Sequence, residues 1–265
     1  MNTQNLKLYW KVIRFNFSKF SMYPSEFIAY LLSRFIDLSM IGIFWYVVSL
    51  ANPTLINFKT ILAYFLIMDG LKNIMYSYES RLSKYFQEVI ENGDLSNYLI
   101  KPISIIPYLT FSYTGGDWIN YIYSFFIIVA GFLIMPFPSL INIFFCLLFM
   151  VTGTIIALNI NILIASLNFY NPNADGIRNG INHILRIFSG SMMPISLFPS
   201  ILKNILLLSP FPATAFMPVY ILQTKLPLNT VLQYFLITVI WSIILTILTN
   251  KIWNHSLKHY ESVGI

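Results

Sequence analysis

With 57% hydrophobic and only 10% charged side chains among 265 residues, and a mean hydropathy of +0.70, this composition excludes a soluble globular domain, where about a quarter of residues carry charge. It describes an all-α polytopic membrane protein, a single transmembrane domain over residues 1–265. The formal net charge of +6 is read through its placement and not as a nucleic-acid signal, and the lone Cys146, inside the apolar run FFCLLFM, excludes a disulfide framework or a cysteine-based metal site.

No cleavable signal peptide is evident, because the first apolar run starts late and no small-residue cleavage site follows a short one. Residues 1–22 read instead as an amphipathic helix: Leu6, Trp10, Ile13, Phe17 and Phe20 share one face, and Lys7, Lys11 and Arg14 another. With no soluble core to cover, this N-terminal helix is expected to be interfacial, its cations towards anionic lipid.

Six segments follow that could be transmembrane helices, at about 20 residues each for a core of about 30 Å. They are residues 27–50, 58–78, 109–135, 140–167, 181–198 and 230–253. Asn52-Pro53, Pro136-Phe137-Pro138, Asn171-Pro172 and Pro227 punctuate their joints. The first two carry charges at a spacing of three, Arg34 with Asp37 and Asp69 with Lys72. Since one segment runs outward and the next inward, the helical rise puts all four in one layer, about 9–15 Å from the cytosolic ends. An unpaired charge there costs several kcal/mol, so these groups are expected to face protein or a water-filled inward cavity. Two arrangements serve: a bridge between the helices, such as Arg34 to Asp69, or pairing within each helix at i, i+3.

Between the second and third segments lies residues 87–107, QEVIENGDLSNYLIKPISIIP. Gly93 breaks a preceding polar helix, Asp94 can N-cap a new one, DLSNYLI, and Lys101-Pro102 stops it. Two readings stand: a short helix parallel to the membrane and offered to a partner, or an ordinary interhelical loop.

The fifth segment is short and interrupted by Gly190 and Pro194. After it, residues 199–228 are apolar but broken by Pro210, Pro212 and Pro218, leaving the pieces SILKNILLLS and ATAFMPVYILQ, each too short to cross. They predict a re-entrant helical hairpin between the fifth and sixth spans, since irregular backbone at depth is tolerated only when buried in protein. Basic residues orient the whole. With the N-terminus inside, Lys7, Lys11, Arg14, Lys19, Arg81, Lys84, Lys101, Arg178, Lys251 and Lys258 fall on the cytosolic side, against Lys59, Lys203 and Lys225 outside. Both termini are then cytosolic, and the hairpin is external.

Three stretches carry a family resemblance: NGDLSNYLIKPIS, LFPSILKNILLLSPFPATAFMPVYIL and LKHYESVG, in that order along the chain. The chain resembles the six-helix permeases of type-2 ATP-binding-cassette (ABC) exporters of the bacterial cytoplasmic membrane. It departs mildly, with Lys101 where arginine is commoner and His259 interrupting a basic pair. The resemblance implies a dimer of permeases, of the same or a related chain, working with two cytosolic ATPase subunits. It makes residues 1–22 an elbow helix and residues 79–108 the coupling region, with Asp94, Leu95, Asn97, Tyr98, Leu99, Lys101 and Pro102 meeting the ATPase. It likewise makes Phe198, Pro199, Pro210, Phe211 and Pro218 the frame of an external hairpin that closes the outer end of the path.

The residues agree with a subunit that catalyses nothing. There is no G-x-x-x-x-G-K-[ST] loop and no G-x-S-x-G elbow, so ATP and magnesium belong on a partner chain. His183, His255 and His259 form no metal-ligand set with nearby carboxylates. Two rivals are an intramembrane lipid-modifying enzyme, which needs polar groups converging at one face, and a stand-alone secondary transporter or channel, which favours repeats and many intramembrane charges. Aromatic, weakly charged helices suit a lipophilic or amphipathic cargo, such as a lipid, peptide or antibiotic. Membrane lipid is the remaining expected partner.

Overall fold

The computed structural model describes residues 3–20, 24–54, 56–76, 81–171 and 174–260. The ESVG tail motif, Tyr78 and Pro172 lie outside these residues. So do Met1, Asn2, Ser21 and Met22 of the elbow and Glu79 and Ser80 of the coupling region, and so do the side chains of Leu6, Lys19 and Phe20.

Every regular element among the described residues is helical. In chain order they are α1 (Thr3–Phe20), α2 (Pro24–Ala51), α3 (Phe58–Ile74), α4 (Leu82–Glu91), α5 (Leu95–Leu99) and α6 (Ile105–Gly116). Then come α7 (Trp118–Ile134), α8 (Leu140–Ala165), α9 (Asp175–Phe188), α10 (Ser200–Leu207), α11 (Phe216–Gln223) and α12 (Leu228–Ser256). Two of the long helices begin on side-chain caps: Asn57 accepts from the Thr60 amide at 3.3 Å and Ser139 from the Asn142 amide at 3.2 Å.

Among the described residues three helices are long and apolar enough to cross a membrane, within Leu31–Ala51, Leu140–Phe169 and Leu228–His259, and a fourth span exists if a bent pair is counted as one. Helix length therefore accounts for fewer spans than the six expected. The third expected span is that pair: α6 and α7 meet at Asp117 with a bend of 64°. Here α6 packs on α1, through the stacked rings of Tyr9 and Phe111 at 4.9 Å and a hydrogen bond from Asn16 to Ser112 at 3.0 Å, while α7 packs along α3. The approach of α7 to α3 is close enough that a Cβ on Gly70 would stand 2.8 Å from the Ser124 carbonyl. The protein-facing side of α1 is thus Tyr9 and Ile13 with Asn16, and Phe17 packs its ring 4.9 Å from that of Trp118, while Trp10 is exposed. Of the expected apolar face, Ile13 and Phe17 meet protein and Trp10 does not. Lys7, Lys11 and Arg14 are exposed.

The fifth expected span also differs. α9 starts earlier, at Asp175, and stops at Phe188; its 14 residues are about 21 Å long, short of the hydrocarbon core. The chain then turns at Gly190, φ +82°, a left-handed conformation suited to glycine. This non-helical stretch is buried, and its polar groups are paired. The Ser191 amide donates to Arg186 O at 3.1 Å, the Phe216 amide to Ser189 O at 3.1 Å, and the Tyr64 hydroxyl to Gly190 O at 2.8 Å.

Next come the two short helices α10 and α11. Pro199 and Pro210 stand at the caps of α10 and of the 3-10 turn Phe211–Thr214, and Pro218 sits in the first turn of α11. Phe198 and Phe211 are half-buried beside them. α11 is buried between α3 and α8, and Leu208 at the end of α10 accepts from the indole of Trp241, mid-way along α12, at 2.8 Å. α8 and α12 pack together, joined by Thr152 with Thr238 at 3.1 Å and Asn159 with Thr246 at 3.0 Å.

Candidate functional site

Two features gather the polar chemistry. The first is α4–α5. α4 carries a fully buried apolar face, Leu82 and Phe86 with Val89 and Ile90, set against Leu109, Ile162 and Trp253. Gly93, φ +76°, ends it, and α5 follows. Asp94 stands at the N-cap in helical conformation and its carboxylate makes no capping hydrogen bond, so the cap expected from sequence is absent. Leu95 is buried in the same cluster and anchors the helix. Tyr98 turns inward, its ring 5.3 Å from that of Tyr108 and capped by the Lys101 ammonium at 5.3 Å. Desolvation by burial pushes the Tyr98 and Tyr85 hydroxyls above the usual tyrosine range, so both stay neutral. Asp94, Asn97, Lys101 and Pro102 are exposed. The apolar groups offered outward are Leu99, 46% exposed, and Ile100, 83% exposed. Ile100 is an outward residue that the sequence assignment of contact positions omitted.

The second feature is a cavity of about 500 Å³ between α2, α3 and α9. All four charges singled out on the first two spans line it: Arg34, Asp37, Asp69 and Lys72. Asp69 is held on both oxygens, by Lys72 of its own helix at 2.8 Å and by the Tyr123 hydroxyl of α7 at 2.6 Å. Arg34 reaches across to α3 and donates to Asn73 Oδ1 at 3.5 Å. Of the two arrangements left open, Asp69 and Lys72 take the one within a helix, while Arg34 makes its bridge between helices to an amide.

The opposite wall is α9, which the sequence reading left out. Asn179, Asn182, His183 and Arg186, at i, i+3, i+4 and i+7, form one polar stripe facing the cavity. That periodicity was legible; placing the span start at 181 cut the stripe in two.

A clamp joins the two features. Arg178 donates to the Gln87 amide oxygen and pairs with Asp175 at 2.7 Å, and Gln87 Nε2 donates to Asp175 at 3.2 Å and to Glu91 at 2.7 Å. The base of α9 is therefore tied to α4 one turn before that helix ends at Glu91. His255 and His259 lie one turn apart near the end of α12, and no metal-binding group of histidines, cysteines or carboxylates occurs among the described residues.

A family model described as ABC-2 family transporter protein matches residues 35–264. The chain belongs to the ABC-2 transporter family. It is accordingly a membrane protein and the permease component of an ABC transporter, a family that works with an ABC ATPase partner. No curated protein sequence matches the chain. The match takes in both features of this ABC-2 permease, the α4–α5 unit and all but Arg34 of the charged cavity.

Proposed function

We propose that this ABC-2 permease exports a lipophilic or amphipathic molecule across the bacterial cytoplasmic membrane, with ATP hydrolysed on partner subunits. Both termini and α4–α5 face the cytosol, and the α10–α11 hairpin sits in the outer half. The observation that carries this reading is the clamp: a partner pushing on α5 moves α4, and Gln87 passes that motion to α9, one wall of the charged cavity. The cavity is then the inward-facing floor of the cargo path. α5 docks on the ATPase through Leu99 and Ile100, exposed apolar anchors of the kind that dominate interfaces. A second permease, the same chain or a related one, packs on α2, whose spanning window is only 6% buried.

The test is Leu99→Asp combined with Ile100→Asp. The permease should still reach the membrane, the ATPase should no longer co-purify, and ATP-driven export should fall about 30-fold or more, matching loss of about 2 kcal/mol of apolar anchoring. Undiminished export by this variant would refute α5 as the docking element.

A further inference from the structure

The cavity's walls specify more than a polar floor. Three cations, Arg34, Lys72 and Arg186, face two carboxylates, Asp37 and Asp69, an excess of one positive charge. Asp69 is satisfied on both oxygens by Lys72 and Tyr123. What the remaining lining offers is two guanidinium groups and one carboxylate. A guanidinium carries five donors in a fork that fits phosphate or carboxylate, so Arg34 and Arg186 can each take an anion beside the contacts they already make.

Asp37 points to the opposite charge. It is exposed, sits one turn beyond Arg34 on α2, and makes no hydrogen bond or ion pair among the described residues. A carboxylate in a membrane layer is costly unless a cation or water meets it. Two buried amide atoms without hydrogen-bond partners lie behind this lining: Asn73 Nδ2, on the residue that Arg34 binds, and Asn182 Oδ1 on α9. Asn73 is 5% exposed, so its orphaned donor is a desolvated one. Towards the middle of α2 the lining turns apolar, at Leu38, Met40 and Ile41, and the exposed Phe44 and Val47 continue that face.

We propose that the cavity seats a zwitterionic head group, one bearing a phosphate or carboxylate together with an amine, with the apolar tail lying along α2. Arg34 and Arg186 take the anion; Asp37 takes the amine. A purely anionic head group would meet Asp37, and a purely cationic one would meet the positive excess. This rests on the reading of the chain as an export permease and narrows its cargo class.

The experiment uses the permease purified with its ATPase in detergent and measures equilibrium binding of single-chain amphiphiles. The probes are lysophosphatidylethanolamine and an alkyl betaine as zwitterions, lysophosphatidylglycerol as the anion, an alkyl trimethylammonium as the cation and an alkyl maltoside as the neutral control. At least one zwitterion should bind about tenfold tighter than the other three classes, as expected for one added charge-assisted contact. Whichever zwitterion binds tighter identifies the anion as a phosphate or a carboxylate. Asp37→Asn should bring lysophosphatidylethanolamine and lysophosphatidylglycerol to equal affinity, whereas Asp37→Glu should keep the preference. Arg186→Gln should weaken both about tenfold; if it fails to assemble, the Asp37 pair decides alone. Equal binding of the maltoside, tighter binding of the anion or the cation, or an unchanged preference in Asp37→Asn overturns the proposal. Co-elution of the ATPase separates the two claims: retained ATPase without head-group preference defeats the site alone, and preference without ATPase defeats the export reading alone.

Discussion

Lys72 and Asp69 lie 2.8 Å apart with side chains only 6% and 7% exposed, so removing either leaves the other charge stranded. Lys72→Met should cost roughly 3–5 kcal/mol, the penalty for breaking a buried pair, while Asp69→Asn added to it should recover most of the loss. Thermal unfolding of the detergent-solubilised protein, followed by size exclusion, reads both. Gly190 gives a second test at this scale. At φ +82° an alanine is strained, and its Cβ would stand 2.9 Å from Phe216 Cβ; Gly190→Ala should destabilise by about 1–3 kcal/mol. Charges were the legible residues, because each is too costly in an apolar helix to be accidental, and Arg34, Asp37, Asp69 and Lys72 stand around one cavity. Their polar neighbours on α9 were less visible, since asparagine and histidine carry no such penalty in a segment already assigned as apolar.

At the scale of the element, the clamp between α4 and α9 is the joint to break. Gln87→Leu and Arg178→Met each remove one side of it. Each should lower cargo-stimulated ATP hydrolysis several-fold with the ATPase still bound, measured on the reconstituted complex; full stimulation in both would show that α9 is not driven through α4. Proline and glycine positions made the short α10 and α11 legible from the chain alone. The bend at Asp117 has its own mark in Gly115-Gly116-Asp117, but the long apolar stretches on either side read as one continuous span across it. The apolar face of α1 meets protein in part only, at Ile13 and Phe17 and not at Trp10, for a reason particular to membranes. Lipid is as apolar as protein, so hydrophobic spacing finds the side that avoids water without saying which part of it meets α6.

For the whole molecule, the proposed orientation puts Lys203 and Lys225 outside and Lys84 inside. Cysteines at Lys203 and Lys225 should react with an impermeant thiol reagent on intact cells and a cysteine at Lys84 only after lysis; the reverse pattern would invert the topology and with it the direction of transport. The placement of α2 has a further consequence. This helix leans on α3, and its spanning window is only 6% buried, yet it carries Arg34 and Asp37. On the proposed pairing through α2, a second protomer closes the mouth of the cavity beside these two charges, and a chain alone leaves that mouth open to lipid, so the paired state is the one that lasts. Its survival is then a matter of mass action: the melting temperature should climb with protomer density in the bilayer, and permease made in excess over its partner should be the fraction that proteases remove first.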